Sequence, residues 1–195
     1  QKVRFSFETR RRTGDDVLIC KGLAKSFEER RLFENFDLHL RAGDRVALIG
    51  PNGAGKSTTM NILTGYLSST SGTVKVGGID VLESPYEAKK LIGFLPEQPP
   101  LYMDMKVDEY LNFVYDIKNC KLDRKKHLAE VRKVTKIDDV KNRLIKNLSK
   151  GYRQRVGIAQ ALIGNPKVII FDEPTVGLDP KQIIEIRNLI RSLGK

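Results

Sequence analysis

Long apolar runs are missing from this chain. The longest, such as Val46-Ala47-Leu48-Ile49 and Val168 to Phe171, fall far short of the roughly 20 residues a membrane-spanning helix needs. Cysteine is scarce. Cys20 and Cys120 stand alone, with no C-x-x-C pair, which excludes a disulfide framework and fits a reducing compartment. Internal repeats and low-complexity segments are absent. The opening Gln1-Lys2-Val3-Arg4 leads into charge rather than an apolar stretch, so no secretory signal is expected there. Acidic residues are outnumbered, 24 Asp and Glu against 35 Lys and Arg, a net +11. That excess is compatible with nucleic acid, anionic lipid, nucleotide phosphate, an acidic partner or a solvated basic surface. What is present is globular in character. The 195 residues are 40% hydrophobic and 30% charged, too apolar for a disordered chain and enough for one sizeable core or two small ones.

Periodicity outlines the elements. Val3, Phe5 and Phe7 alternate with polar residues, Glu8 to Asp16 reads as a loop, and Val17 to Cys20 reads as a strand. Phe36, Leu38 and Leu40 alternate again, and Arg45 to Ile49 is a short β-branched strand candidate. A helix is expected from Lys56 to about Leu67, then strands at Thr73 to Val76 and Ile92 to Leu95. Between Val107 and about Leu148, Leu128, Val131, Val134 and Ile137 recur at helical spacing among charges. A further helix is expected from Ser149 to about Leu162, a buried strand at Val168 to Phe171 and a last helix at Lys181 to Leu193. The alternation predicts an α/β core with a β-rich start and an inserted helical block.

The strongest chemical signal is Gly50-Pro51-Asn52-Gly53-Ala54-Gly55-Lys56-Ser57-Thr58, which fits G-x-x-x-x-G-K-[ST]. Glycines let backbone N–H groups approach phosphate oxygens, and the following helix presents its positive end to the anion. Lys56 adds a full charge against the β- and γ-phosphates, and Ser57 offers a hydroxyl to Mg²⁺. The apolar strand 168–171 ends in Asp172-Glu173, which places two carboxylates at the strand's C-terminal edge, where α/β folds bind ligands. Asp172 is expected to hold Mg²⁺ through its water shell, and Glu173 to polarise the attacking water. Thr135-Lys136-Ile137-Asp138 matches the T-K-x-D form that reads guanine. It lies in the amphipathic helical stretch with Ile137 on the apolar face, so it is read as coincidence.

Together these residues resemble the nucleotide-binding domain of the ATP-binding cassette (ABC) superfamily over nearly the whole chain. Leu148-Ser149-Lys150-Gly151-Tyr152 resembles the family signature, with Lys150 and Tyr152 replacing the usual Gly and Gln. Gln98 matches the Q-loop glutamine, Val176-Gly177-Leu178-Asp179 the D-loop, and Phe27 the aromatic that stacks on adenine. The resemblance implies a P-loop NTPase core, a mostly parallel sheet with flanking helices. An N-terminal antiparallel β subdomain and an inserted α-helical subdomain complete it. The implied divisions are 1–103 (β subdomain and P-loop core), 104–165 (helical subdomain) and 166–195. It further implies ATP and Mg²⁺ as ligands, with Gln98 joining Ser57 and Asp172 around the metal. It implies a head-to-tail dimer with a second nucleotide-binding domain whose ATP meets Ser149 and Gly151, a membrane-spanning transporter partner, and a cytoplasmic place at the membrane face.

The family carries a histidine about 30 residues after the catalytic carboxylate. The histidines here, His39 and His127, do not match it, so a C-terminally truncated domain with weak turnover is expected. Residues from Phe5 to Ile49 resemble the translation-factor branch of the superfamily, and those after Lys56 resemble exporters of the ABC-2 type. A chimeric origin and a soluble ribosome-associated ATPase are therefore carried as alternatives, the latter with nucleic acid or the ribosome as partner.

Overall fold

The computed structural model describes residues 16–28 and 30–193. The strand expected at Val3 to Phe7 and most of the loop after it lie outside the described residues. The fold is α/β, and the chain divides into two compact units, with the boundary between Ile92 and Gly93.

In the first unit, β1 (Asp16–Phe27) and β2 (Arg30–Arg41) form a long antiparallel hairpin, with Asp16 opposite Arg41. β1 also pairs antiparallel with β3 (Ser71–Val76), which turns through Gly77-Gly78 into β4 (Ile79–Asp80). Both glycines have positive φ, 55° and 83°, as a tight hairpin turn requires. The sheet order is β2-β1-β3-β4. Leu18, Cys20, Leu23, Val74 and Val76 form its buried face, and that burial pushes the Cys20 thiol up to about 12. Helix α1 (Lys56–Leu63) stops earlier than expected, because Thr64 and the left-handed Gly65 (φ 65°) end it. The short helix α2 (Pro85–Lys90) has proline in its first turn and buries Ala88.

One expected element is absent. Residues 45–49 form no strand, with Val46 54% and Ile49 92% exposed. An apolar, β-branched run becomes a strand only when a neighbour takes its N–H and C=O groups, and no described strand pairs with it.

In the second unit, β5 (Ile92–Leu95) and β6 (Val168–Phe171) form a two-stranded sheet. Helices α3 (Val107–Ile117), α4 (Arg124–Thr135), α5 (Lys150–Leu162) and α6 (Pro180–Leu193) surround an apolar cluster. Leu111, Val131, Ile137, Ile145, Ile158 and Ile163 are all fully buried there. Ile137 and Thr135, whose Oγ1 donates to the Val131 carbonyl (2.7 Å), belong to this core, so T-K-x-D is structural. Two 3-10 turns, at Asp138–Val140 and Ile145–Asn147, lead to α5. Lys118 donates to the Gln160 (3.3 Å) and Ile163 (2.9 Å) carbonyls at the end of α5, and burial lowers its ammonium to about 8. His127 Nε2 accepts from the Gly164 N–H (3.1 Å). Burial first, then the charge of Lys118, holds His127 below its ordinary value.

Candidate functional site

The Gly-rich loop lies in the first unit. Gly53 (φ 82°) and Gly55 (φ 88°) take left-handed backbone that L side chains resist, and the Ala54 N–H closes the turn onto Pro51 O (3.2 Å). A Cβ on Gly55 would lie 2.9 Å from Leu32 Cδ2, so β2 packs against the loop and leaves no room for a side chain. Gly55 also caps α1 without a side-chain bond, and the first helical N–H to bond is that of Thr59, to Gly55 O (2.8 Å). The N–H groups of Lys56, Ser57 and Thr58 therefore point out of the helix start unpaired. Lys56 Nζ curls back over the loop, donating to Gly50 O (2.7 Å) and Pro51 O (3.1 Å). Ser57 is exposed, and its hydroxyl makes no hydrogen bond among the described residues. This is a concentration of donors and positive charge in a segment with no acidic side chain, and it suits an anion with several oxygens. Pro51 and Asn52 form the exposed tip of the loop. Phe27, at the end of β1, is half exposed, with Lys25 Nζ 4.9 Å above its ring.

The carboxylates lie in the second unit. The Asp172 N–H donates to Leu95 O (2.9 Å), which aligns the C-terminal ends of β6 and β5. Asp172 is 7% exposed, yet its carboxylate makes no hydrogen bond or ion pair among the described residues. A carboxylate that the protein leaves unclaimed is a candidate ligand for a hard cation. Glu173 is exposed and adopts left-handed backbone (φ 46°), an uncommon state for a residue with a Cβ. Gln98 sits three residues beyond Leu95 on the same edge, exposed in the loop that follows β5. Among the described residues no three His, Cys, Asp or Glu cluster as a metal site. Carboxylate and amide oxygens of this kind suit a hard cation such as Mg²⁺ that keeps water in its shell.

The signature residues open α5. Leu148 is buried in the apolar cluster, and the Ser149 Oγ accepts from the Tyr152 N–H (3.4 Å), which caps the helix. Tyr152 donates to Asp139 Oδ2 (2.7 Å), which raises its own phenol. The D-loop packs directly on the signature. A Cβ on Gly151 would lie 2.8 Å from Gln182 Cδ, and a Cβ on Gly177 (φ 67°) would fall on the Lys150 ammonium. Asp179 caps α6 by accepting from the Gln182 N–H (2.8 Å). These contacts, like the support of Gly55 by Leu32, leave no local trace in the sequence, because each joins residues far apart along the chain. The structure brings Asp172, Glu173 and Gln98 to one sheet edge, and sets Lys150 and Gly151 against Gly177 and Gln182.

The sequence profile described as ABC transporter matches residues 33–176. The Bacillus subtilis (strain 168) ABC transporter ATP-binding protein YxlF is 36% identical over 92% of this chain, which spans 59% of that protein's length. The lantibiotic transport ATP-binding protein SrtF of Streptococcus pyogenes is 39% identical over 90% of this chain and 74% of its own. Among solved structures, the dimeric post-hydrolysis cassette MJ0796 bound to ADP and Pi aligns with TM-score 0.78 at 28% identity. That alignment covers 91% of this chain and 83% of that one.

Proposed function

The chain belongs to the ABC transporter family, and on that premise we propose that it is an ATP-binding and ATP-hydrolysing subunit that powers a membrane transporter. One observation carries the reading: the start of α1 without a side-chain cap, where Lys56 and three free N–H groups adjoin a glycine-rich loop. Gly50 to Thr58 hold the triphosphate, with Lys56 exchanging its two carbonyl partners for phosphate oxygens. Phe27 supplies a stacking face for the base. Ser57, Asp172 and Gln98 are the residues that would hold Mg²⁺, which when bound supplies positive charge against the phosphate oxygens. Glu173 takes the proton of the attacking water. Ser149 and Gly151, at the start of α5, face the γ-phosphate held by a second domain, so two domains close head to tail over ATP and separate after hydrolysis. The dimeric cassette MJ0796 with ADP and Pi supports that assembly. SrtF, a transport ATP-binding protein, supports a membrane-spanning partner and a place at the cytoplasmic face. No helix among the described residues is long and apolar enough to cross a membrane.

Titration with a fluorescent ATP analogue tests the reading. Lys56→Ala is expected to lose at least about tenfold in affinity, the scale of a charge-assisted contact. Glu173→Gln is expected to bind as tightly as the parent and turn over far more slowly. Equal affinity in Lys56→Ala and the parent removes the site assignment.

A further inference from the structure

The positive charge of this chain is not spread evenly. Residues 118–155 carry fourteen Lys and Arg against four Asp and Glu, a net +10 out of the chain's +11. Helix α4 concentrates it. His127, Leu128, Val131 and Thr135 are buried, which fixes the inner face of the helix. At 100° per residue, Lys125, Lys126, Lys133 and the C-cap Lys136 fall within an arc of about 100° on the opposite side. All four are exposed, and none makes a side-chain hydrogen bond or ion pair among the described residues.

The arginines around them are committed. Arg124 pairs with Asp116, Arg132 with Asp108 and Asp138, and Arg155 with Glu185. Of the acids nearby, Asp138 is committed to Arg132 and Lys141, and Asp139 to the Tyr152 hydroxyl, which leaves the exposed Glu130 as the one carboxylate on α4 beside the four lysines. What remains free is two pairs of ammonium groups, Lys125 with Lys126 and Lys133 with Lys136, spread over about 16 Å of helix. They offer no forked guanidinium for bidentate phosphate recognition, and no free aromatic face for base stacking. Tyr115, the ring nearest its start, lies under Arg124 and donates to the Leu122 carbonyl. Mobile point charges on a convex helix match a flat, diffuse anionic surface better than a groove with defined positions.

We infer that the outer face of α4 docks on anionic lipid headgroups through Lys125, Lys126, Lys133 and Lys136. The inference rests on the transporter reading for bringing a bilayer within reach. The apolar face of α4 is already buried in the protein, so the contact is electrostatic, without insertion, and sensitive to salt.

Co-sedimentation of the full chain with vesicles of phosphatidylcholine, alone or with one quarter phosphatidylglycerol, tests this without nucleotide. Each lysine near an anionic surface contributes about fivefold in binding. The variant with all four lysines changed to Gln is therefore expected to lose at least about tenfold on anionic vesicles. It should keep the parent's helical content and nucleotide affinity. Raising the salt is expected to abolish parent binding. Equal binding of parent and variant to anionic vesicles overturns the proposal, as does equal parent binding to both vesicle types. Tighter binding of an RNA oligonucleotide at the same salt, lost in the variant, overturns it in favour of nucleic acid. Lys56→Ala is expected to bind vesicles like the parent, so failure of the nucleotide site and failure of the lipid face read separately.

Discussion

The Gly-rich loop and the start of α5 are both helix entrances of the kind that bind anions, and they are built in opposite ways. Gly55 caps α1 with backbone alone and leaves three N–H groups unclaimed. Ser149 caps α5 with its own hydroxyl, and Leu148 beside it is anchored in the apolar cluster. Their supports differ as well. α5 is packed so tightly that Ile158, Ala159 and Val156 are fully buried, whereas the run leading into the Gly-rich loop leaves Ile49 92% exposed. The anion loop is thus specified by ligand chemistry and backbone conformation, and the signature helix by packing. Motif strength and core strength are separate properties, and here they reside in different units.

This contrast can be broken most forcefully from the packed side. Ile158→Ala removes a fully buried side chain from the apolar cluster and is expected to cost about 3 kcal/mol, read as a lower urea midpoint. A smaller effect comes from pH. The native state holds His127 below its ordinary value, so the unfolded chain binds the extra proton first. The stability this contributes is whole above about pH 6.5 and is lost as pH falls toward the depressed native value, by at most about 1.4 kcal/mol per unit. Urea midpoints at pH 7.5 and 5.5 measure it, and His127→Gln is expected to flatten that part of the slope. The smallest effect belongs to the exposed run. Ile49→Thr is expected to stay within about 0.5 kcal/mol of the parent, and a cost near that of Ile158→Ala would show the run to be packed in solution.

Much of the fold is legible from residue patterns. β5, β6, α5 and α6 lie where periodicity places them, because alternation, caps and turn residues agree locally. The run 45–49 carries the same strand pattern and forms none, since pairing depends on a neighbour that no local pattern reveals. α2 escapes prediction for the converse reason, as it buries only Ala88 and shows no apolar period. In the site, spacing marks the loop glycines, Lys56, Asp172 and Glu173 as residues. It is silent on the contacts of Lys150 with Gly177 and of Tyr152 with Asp139, which folding alone creates.

The left-handed backbone at Glu173 sets local stability against chemistry. Glycine or asparagine would sit there with about 1 kcal/mol less strain. A library of this chain sorted for heat resistance alone will therefore enrich Gly or Asn at position 173 and discard the carboxylate. On the role proposed for Glu173, selection for a sturdier protein would in that way steadily yield an inert one.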